Sequence, residues 1–191
     1  LASFNTQDTF KTFSFYDPSK TPIIIGAIFA VLFALCVLGG GKRLTNITGV
    51  LVPVMGLIYI VVSLIVVIMN ITNLPLVLKN IFVAAFDFKA IFGGFAGSCM
   101  MWGIKRGLYS NEAGMGSTPH AHALAKVKQP QDQGIAAMVG VFLDTFIILT
   151  LTALVILSTG STASGLTGAA LSQYAFASVF GKAGEIFIAI C

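Results

Sequence analysis

Residues 47–71 read ITGVLVPVMGLIYIVVSLIVVIMNI, with no charged side chain anywhere in the run. A helix rises about 1.5 Å per residue, so a run this long crosses the roughly 30 Å hydrocarbon core of a bilayer. In lipid every backbone N–H and C=O needs a partner within the protein, and an α-helix supplies those partners along its own axis. The run therefore reads as a membrane-spanning helix, with Pro53 near its start. The rest of the chain follows suit. Of its 191 residues, 57% are hydrophobic and 9% charged, and mean hydropathy is +0.94. A soluble domain carries about 25% charged residues. So few charges cannot cover a water-facing surface, and the expected class is an all-α integral membrane protein.

Working outward, residues 1–20 are mixed polar and aromatic, with Asp17-Pro18 and Thr21-Pro22 as turn signals. A first span is expected over 22–40, opened by Pro22 and closed by Gly39-Gly40-Gly41. A short loop, Lys42 to Asn46, makes it an antiparallel hairpin with the second span at 47–71. Residues 72–90 form a longer connection with room for a short interfacial helix. A third span over 90–109 is broken by glycine at 93–97, and a polar segment runs from Lys105 to Gln133. A fourth span covers 134–158. A Gly/Ser/Thr-rich loop then leads to a fifth, incomplete span at 183–191. The chain opens without methionine or a signal-peptide pattern and stops within the apolar run 186–190, so residues 1–191 are expected to be a piece of one longer transmembrane domain.

The formal net charge of +4 sits mostly between the apolar runs, where Lys and Arg act as orientation signals. Lys42, Arg43, Lys105, Arg106, Lys126 and Lys128 fall on one side if the spans alternate; Lys79, Lys89 and Lys182 fall on the other. The richer side is expected to be cytoplasmic. No basic patch with interleaved aromatics appears, which removes nucleic acid as a partner. Cys36, Cys99 and Cys191 form neither a CxxC pair nor a metal spacing.

Two stretches carry chemistry. The glycines of Gly93-Gly94-Phe95-Ala96-Gly97 would let a spanning helix unwind and expose backbone donors and acceptors to a small zwitterion and an ion. They equally fit close helix packing through Gly93-x-x-x-Gly97. The second stretch runs Arg106-Gly107-Leu108-Tyr109-Ser110-Asn111-Glu112-Ala113-Gly114-Met115-Gly116-Ser117-Thr118-Pro119. It reads as a helix end, a glycine-rich turn and a new helix start, with Ser117 or Thr118 as cap and Pro119 in the first turn. Arg106 is placed to pair with Glu112, and Asn111 and Glu112 to bond loop amides. Asp144 is an ionisable residue within a span, which should face a cavity or the bundle interior; coupling ion, gating and structural pairing are its candidate roles. His120 and His122, at i and i+2, do not share a helix face, so no metal site is expected. No nucleophile–base pair or nucleotide loop is visible.

The second stretch closely resembles the signature of the alanine or glycine:cation symporter family. Further resemblances are Gly39-Gly40-Gly41-Lys42-Arg43, Val52-Pro53-Val54-Met55 with Tyr59, Ala85-Phe86 before Gly93-Gly94-Phe95-Ala96-Gly97, and Asp144-Thr145. Together they extend over most of residues 22–160. The resemblance implies the LeuT-type fold of the amino acid–polyamine–cation superfamily, two inverted five-helix repeats with helices one and six broken at mid-membrane. This chain would then hold roughly core helices four to seven and the start of eight. It further implies that 93–97 is the broken part of helix six and that Gly93, Gly94, Phe95, Gly97 and Cys99 contact the substrate. Cys99 stands where Thr, Ile or Ala is more usual, which bears on pocket size. Arg106, Gly107, Ser110, Asn111, Glu112, Gly114, Gly116, Ser117 and Pro119 match the signature loop.

The expected function is symport of a small neutral amino acid, alanine or glycine, into the cell with sodium as coupling ion. The protein would sit as a multi-pass protein in the cell membrane, with no cofactor and no enzymatic activity. The alternatives are proton-coupled transport on the same fold, an ion channel, which would need repeated polar faces around a pore, and a membrane-embedded enzyme, which would need clustered His, Asp or Glu at membrane depth.

Overall fold

A computed structural model describes residues 6–7, 9–11, 13, 16–38, 40–86 and 95–190, with the side chains of 41, 42 and 95–99 outside the description. All regular structure among the described residues is helical. In chain order the helices are α1 (Thr21–Val37), α2 (Gly40–Met69), α3 (Leu74–Ala85), α4 (Phe95–Ser110), α5 (Ser117–His122) and α6 (Pro130–Phe142). A π-helical segment, Leu143–Leu149, continues α6 directly into α7 (Thr150–Ser158). A 3₁₀ turn at Ser161–Ser164 precedes α8 (Ala169–Phe180) and α9 (Lys182–Ile190).

Pro22 lies in the first turn of α1, where its missing N–H costs nothing. The loop expected at Lys42–Asn46 is instead helical, because α2 begins at Gly40. Lys, Arg and Leu are good helix formers, and Gly40 takes a left-handed φ of +77° at the start of α2. Pro53 sits inside α2 and removes the bond that the Gly49 carbonyl would otherwise accept. The Gly/Ser/Thr-rich loop expected after 158 is also shorter than its composition implied. Residues 169–180, AALSQYAFASVF, form α8 between Gly168 (φ +65°, ψ −140°) and Gly181 (φ +60°, ψ −141°). That backbone region is essentially reserved for glycine, so the two glycines set the ends of the helix.

Two helical stretches are long and apolar enough to cross a membrane: Arg43–Met69, with mean hydropathy 2.9, and Pro130–Ser158, with 2.4. Only 17% and 6% of their most apolar windows are buried. The core helix of a soluble protein would hide its apolar residues. These helices present theirs outward, as Leu51, Val54, Leu57, Val61 and Ile68 of α2 show, and such a surface needs apolar surroundings.

The chain divides into two compact units, residues 1–71 with 154–191 and residues 72–153. The first is centred on aromatic packing. Tyr59 of α2 lies 5.9 Å from Phe176 of α8 and 6.3 Å from Phe187 of α9, and Phe176 and Phe187 are 5.6 Å apart. Phe176 is fully buried with Val66, Val155 and Ala175. The amide of buried Gln173 donates to the carbonyls of Thr9 and Glu185, at 3.1 Å each, and so ties α8 to both the N-terminal stretch and α9. The second unit carries the glycine-rich signature.

Candidate functional site

The signature stretch folds within the second unit as the end of α4, a tight loop over 111–116 and the short helix α5. Glycine makes the turn: Gly114 and Gly116 have φ of +80° and +81°, where a Cβ would meet the backbone. Glu112 enters the same left-handed region at φ +50°, as the only described non-glycine residue to do so. Hydrogen bonds hold it there. Its Oε2 accepts from Ser117 Oγ at 2.8 Å and from Thr118 Oγ1 at 2.6 Å, while Ala113 N–H donates to the Leu108 carbonyl at 2.9 Å and Met115 N–H to that of Glu112 at 3.3 Å. The Thr118 hydroxyl first and then the Ser117 hydroxyl hold the Glu112 carboxyl below its usual value; burial opposes them, and the nearby His122 adds a lesser lowering.

Two expectations are corrected here. Glu112 is bonded by Ser117 and Thr118 rather than by Arg106. Those hydroxyls do not cap α5 either, since its N-cap is Gly116 with no side-chain bond. The reason is common to both. Once Glu112 turns left-handed its carboxylate lies over the start of α5, within reach of two hydroxyls that would otherwise cap the helix.

Asn111 and Asp144 find partners on another element. Ser110 Oγ donates to Asp144 Oδ2 at 2.6 Å, and Thr145 Oγ1 donates to Asn111 Oδ1 at 2.8 Å. Consecutive residues at the end of α4 thus meet consecutive residues of the π segment. The wider i→i+5 turn rotates successive residues by less than the roughly 100° of an α-helix, so Asp144 and Thr145 both face α4. A cleft of about 530 Å³ adjoins this junction, lined by Asn111, Thr145 and the apolar side chains of Ala137, Met138, Val141 and Phe146. Beyond α5, His120 Nδ1 donates to the Gly116 carbonyl at 2.6 Å and the Gln133 amide bonds His122 Nδ1.

The structure thereby brings together Ser110, Asn111, Glu112, Ser117 and Asp144 of the expected residues, and adds Thr145 and Thr118. Arg106 and Gly107 lie in the last turns of α4, and Pro119 is the third residue of α5. Gly93 and Gly94 lie outside the described residues, as do the side chains of Phe95 and Cys99. The helical path of α4 already includes Phe95, Ala96 and Gly97, so the break expected over 93–97 does not extend to those three. Thr145 was legible only as half of the Asp144-Thr145 pair. What makes it a partner of Asn111 is the π geometry, which no local propensity announces.

Long outward-facing apolar helices, and a polar loop closed by hydroxyl, amide and carboxylate groups, define a helical membrane protein. The sequence profile of the sodium:alanine symporter family matches residues 2–191, and the chain belongs to that family of membrane carriers. It is 41% identical over 169 residues to the sodium/alanine symporter AgcS of Methanococcus maripaludis, covering 86% of this chain and 37% of that protein. It is 41% identical over 140 residues to the putative sodium/proton-dependent alanine carrier protein YrbD of Bacillus subtilis, covering 73% and 29%. With the probable sodium/glutamine symporter GlnT of the same organism it shares 40% identity over 169 residues, covering 88% and 35%. The chain thus spans about a third of the length of these curated relatives.

Proposed function

We propose that this chain is the central part of a secondary active symporter that moves a small neutral amino acid, alanine or glycine, into the cell with sodium. The observation that carries the reading is the family match, which extends from residue 2 to residue 191. The name of AgcS supports alanine and sodium. On this reading the fold is of LeuT type, the described helices include core helices four to seven, and the protein is multi-pass in the cell membrane with residues 40–43 and the signature loop on the cytoplasmic side.

The substrate lies against Gly93, Gly94, Phe95, Gly97 and Cys99, with backbone groups freed before Phe95 holding its carboxylate. Asp144 serves in gating, which the Ser110 bond supports. A proton-coupled reading is kept because one relative is named as sodium/proton-dependent.

Counterflow of labelled alanine by the full-length protein in liposomes tests the proposal. Sodium-dependent exchange is the expected result. Equal exchange with choline in place of sodium, driven by a pH gradient, would replace sodium by protons. No exchange of alanine, glycine or serine under either gradient would remove the symporter reading.

A further inference from the structure

We infer that Ser110 and Asn111 at the end of α4, with Asp144 and Thr145 of the π segment, form a two-rung clasp that positions the C-terminal end of the pocket-bearing helix and sets the rate of the transport step rather than the affinity for the amino acid. The inference rests on the symporter reading and adds to it the positioning residues Asn111 and Thr145.

Four observations carry it. Both rungs join residues 34 apart in sequence, so the two strands of contact are in register. Each rung uses one hydroxyl donor, Ser110 on one side and Thr145 on the other, so neither element supplies all the donors. Both acceptors are side chains, so the opening step itself breaks only side-chain hydrogen bonds. Asp144 also lies halfway along the 29-residue helix Pro130–Ser158, about 21 Å from either end. An opened rung leaves polar groups that must find another polar partner or water. The arrangement described is the closed clasp, and the inference is that transport passes through an open one.

The same α4 end leads straight into the loop fixed by Gly114, Gly116 and the Glu112 bonds to Ser117 and Thr118. Opening the clasp frees the end of α4 while that loop keeps its own shape, so movement concentrates at one joint. Exposure of the four side chains fits a joint at a surface: Asn111, Asp144 and Thr145 are half-buried and Ser110 is exposed.

The test is a double-mutant cycle in the full-length protein, read as sodium-driven alanine uptake in liposomes. Thr145→Val and Asn111→Ala each leave one polar group unpaired, and each is expected to lower Vmax about tenfold with KM moved by less than about twofold. The double variant is expected to lose no more than either single one. Thr145→Ser, which keeps the donor, is expected to restore most of the rate. Asp144→Asn keeps an acceptor for Ser110 and is expected to lose less than Asp144→Ala. Multiplicative losses in the double variant, or a raised KM at unchanged Vmax, would overturn the clasp. Equal losses for Asp144→Asn and Asp144→Ala with a raised sodium half-saturation would reassign Asp144 to the ion.

If the wild-type protein moves no alanine with sodium, the symporter reading fails by itself. The clasp is then decided by thermal unfolding of the same variants, where a non-additive Asn111–Thr145 pair supports it and an additive pair overturns it.

Discussion

Gly184→Ala separates the α8–α9 packing from ordinary helix chemistry, because the two make opposite forecasts. Gly184 is buried inside α9. On propensity alone, alanine in place of a helical glycine stabilises by up to about 1 kcal/mol. The structure gives the other sign. A Cβ at Gly184 would lie 2.9 Å from the Ala177 nitrogen and closer still to the Phe176 carbonyl. Carbon contacts relax at about 3.5–4.0 Å, and the Phe176 carbonyl carbon would lie 2.5 Å away, so α9 must move off α8 by roughly 1 Å or more. The obstacle is backbone and cannot rotate away. The shift also strains the Phe176–Phe187 contact and the bond from Gln173 to the Glu185 carbonyl. Overpacking of this kind costs about 1–3 kcal/mol, which exceeds the helical gain. The expected result is a thermal midpoint a few degrees lower for purified full-length protein, followed with a thiol-reactive dye. Gly49→Ala is the control: it makes the same exchange within α2, where no atom lies within 4 Å of the added carbon, and is expected to be neutral or stabilising. A Gly184→Ala protein as stable as the Gly49→Ala control would show that α8 and α9 do not approach as described.

In the signature loop, Gly114→Ala and Gly116→Ala are each expected to cost about 1–2 kcal/mol, because both positions are left-handed; Gly107→Ala, in α4 with open space around it, is expected to be tolerated, and equal melting of all three would refute the turn. Glu112 has its pKa lowered by folding, so its contribution is complete above the ordinary carboxylate range of about 4.3 and disappears as pH falls through the lowered folded value. Hydrogen exchange at residues 113–118, corrected for its intrinsic rate, should therefore stay level between about pH 8 and 5 and rise only in stronger acid; loosening between about pH 7 and 5 would assign the loop to another group. Cys99→Phe in the full-length protein is expected to abolish alanine binding and Cys99→Ala to preserve it; unchanged affinity in purified, folded Cys99→Phe would remove Cys99 from the substrate site.

The helical class and the two long apolar crossings were legible because spanning length and charge depletion are properties of composition along the chain. Residues 47–71 needed no tertiary information. Boundaries were less legible. Residues 42–46 are polar enough to read as a loop, yet Lys and Arg extend a helix as readily as they occupy a turn, and α2 already begins at Gly40. Residues 159–182 read as one loop because glycine, serine and threonine were averaged over it, while the structure confines the loop to 159–168 and begins α8 at Ala169. The buried Gln173 explains why that helix holds its place: a side chain that bonds Thr9, 164 residues away, cannot be read from any local window.

At the candidate site, residue types were legible and their pairings were not. Asn111, Glu112 and Asp144 stood out as polar groups in an apolar chain, and such groups must find partners. Charge pointed to Arg106 for Glu112. The observed choice follows from backbone geometry, since a left-handed Glu112 brings its carboxylate to Ser117 and Thr118 and away from α4. Asp144 follows the same logic on a larger scale. An α-helical turn at 143–149 would direct consecutive side chains about 100° apart, and only one of Asp144 and Thr145 could address the end of α4 squarely. Widening the turn brings both into reach and lengthens the backbone bonds to i→i+5. Nothing in LDTFIIL forbids a plain α-helix, so the distortion is sustained from outside the segment. The two side-chain bonds at its first turn are the interactions the structure offers for that role, which is why removing Thr145 or Asn111 should both slow transport and return residues 143–149 toward α-helical bonding.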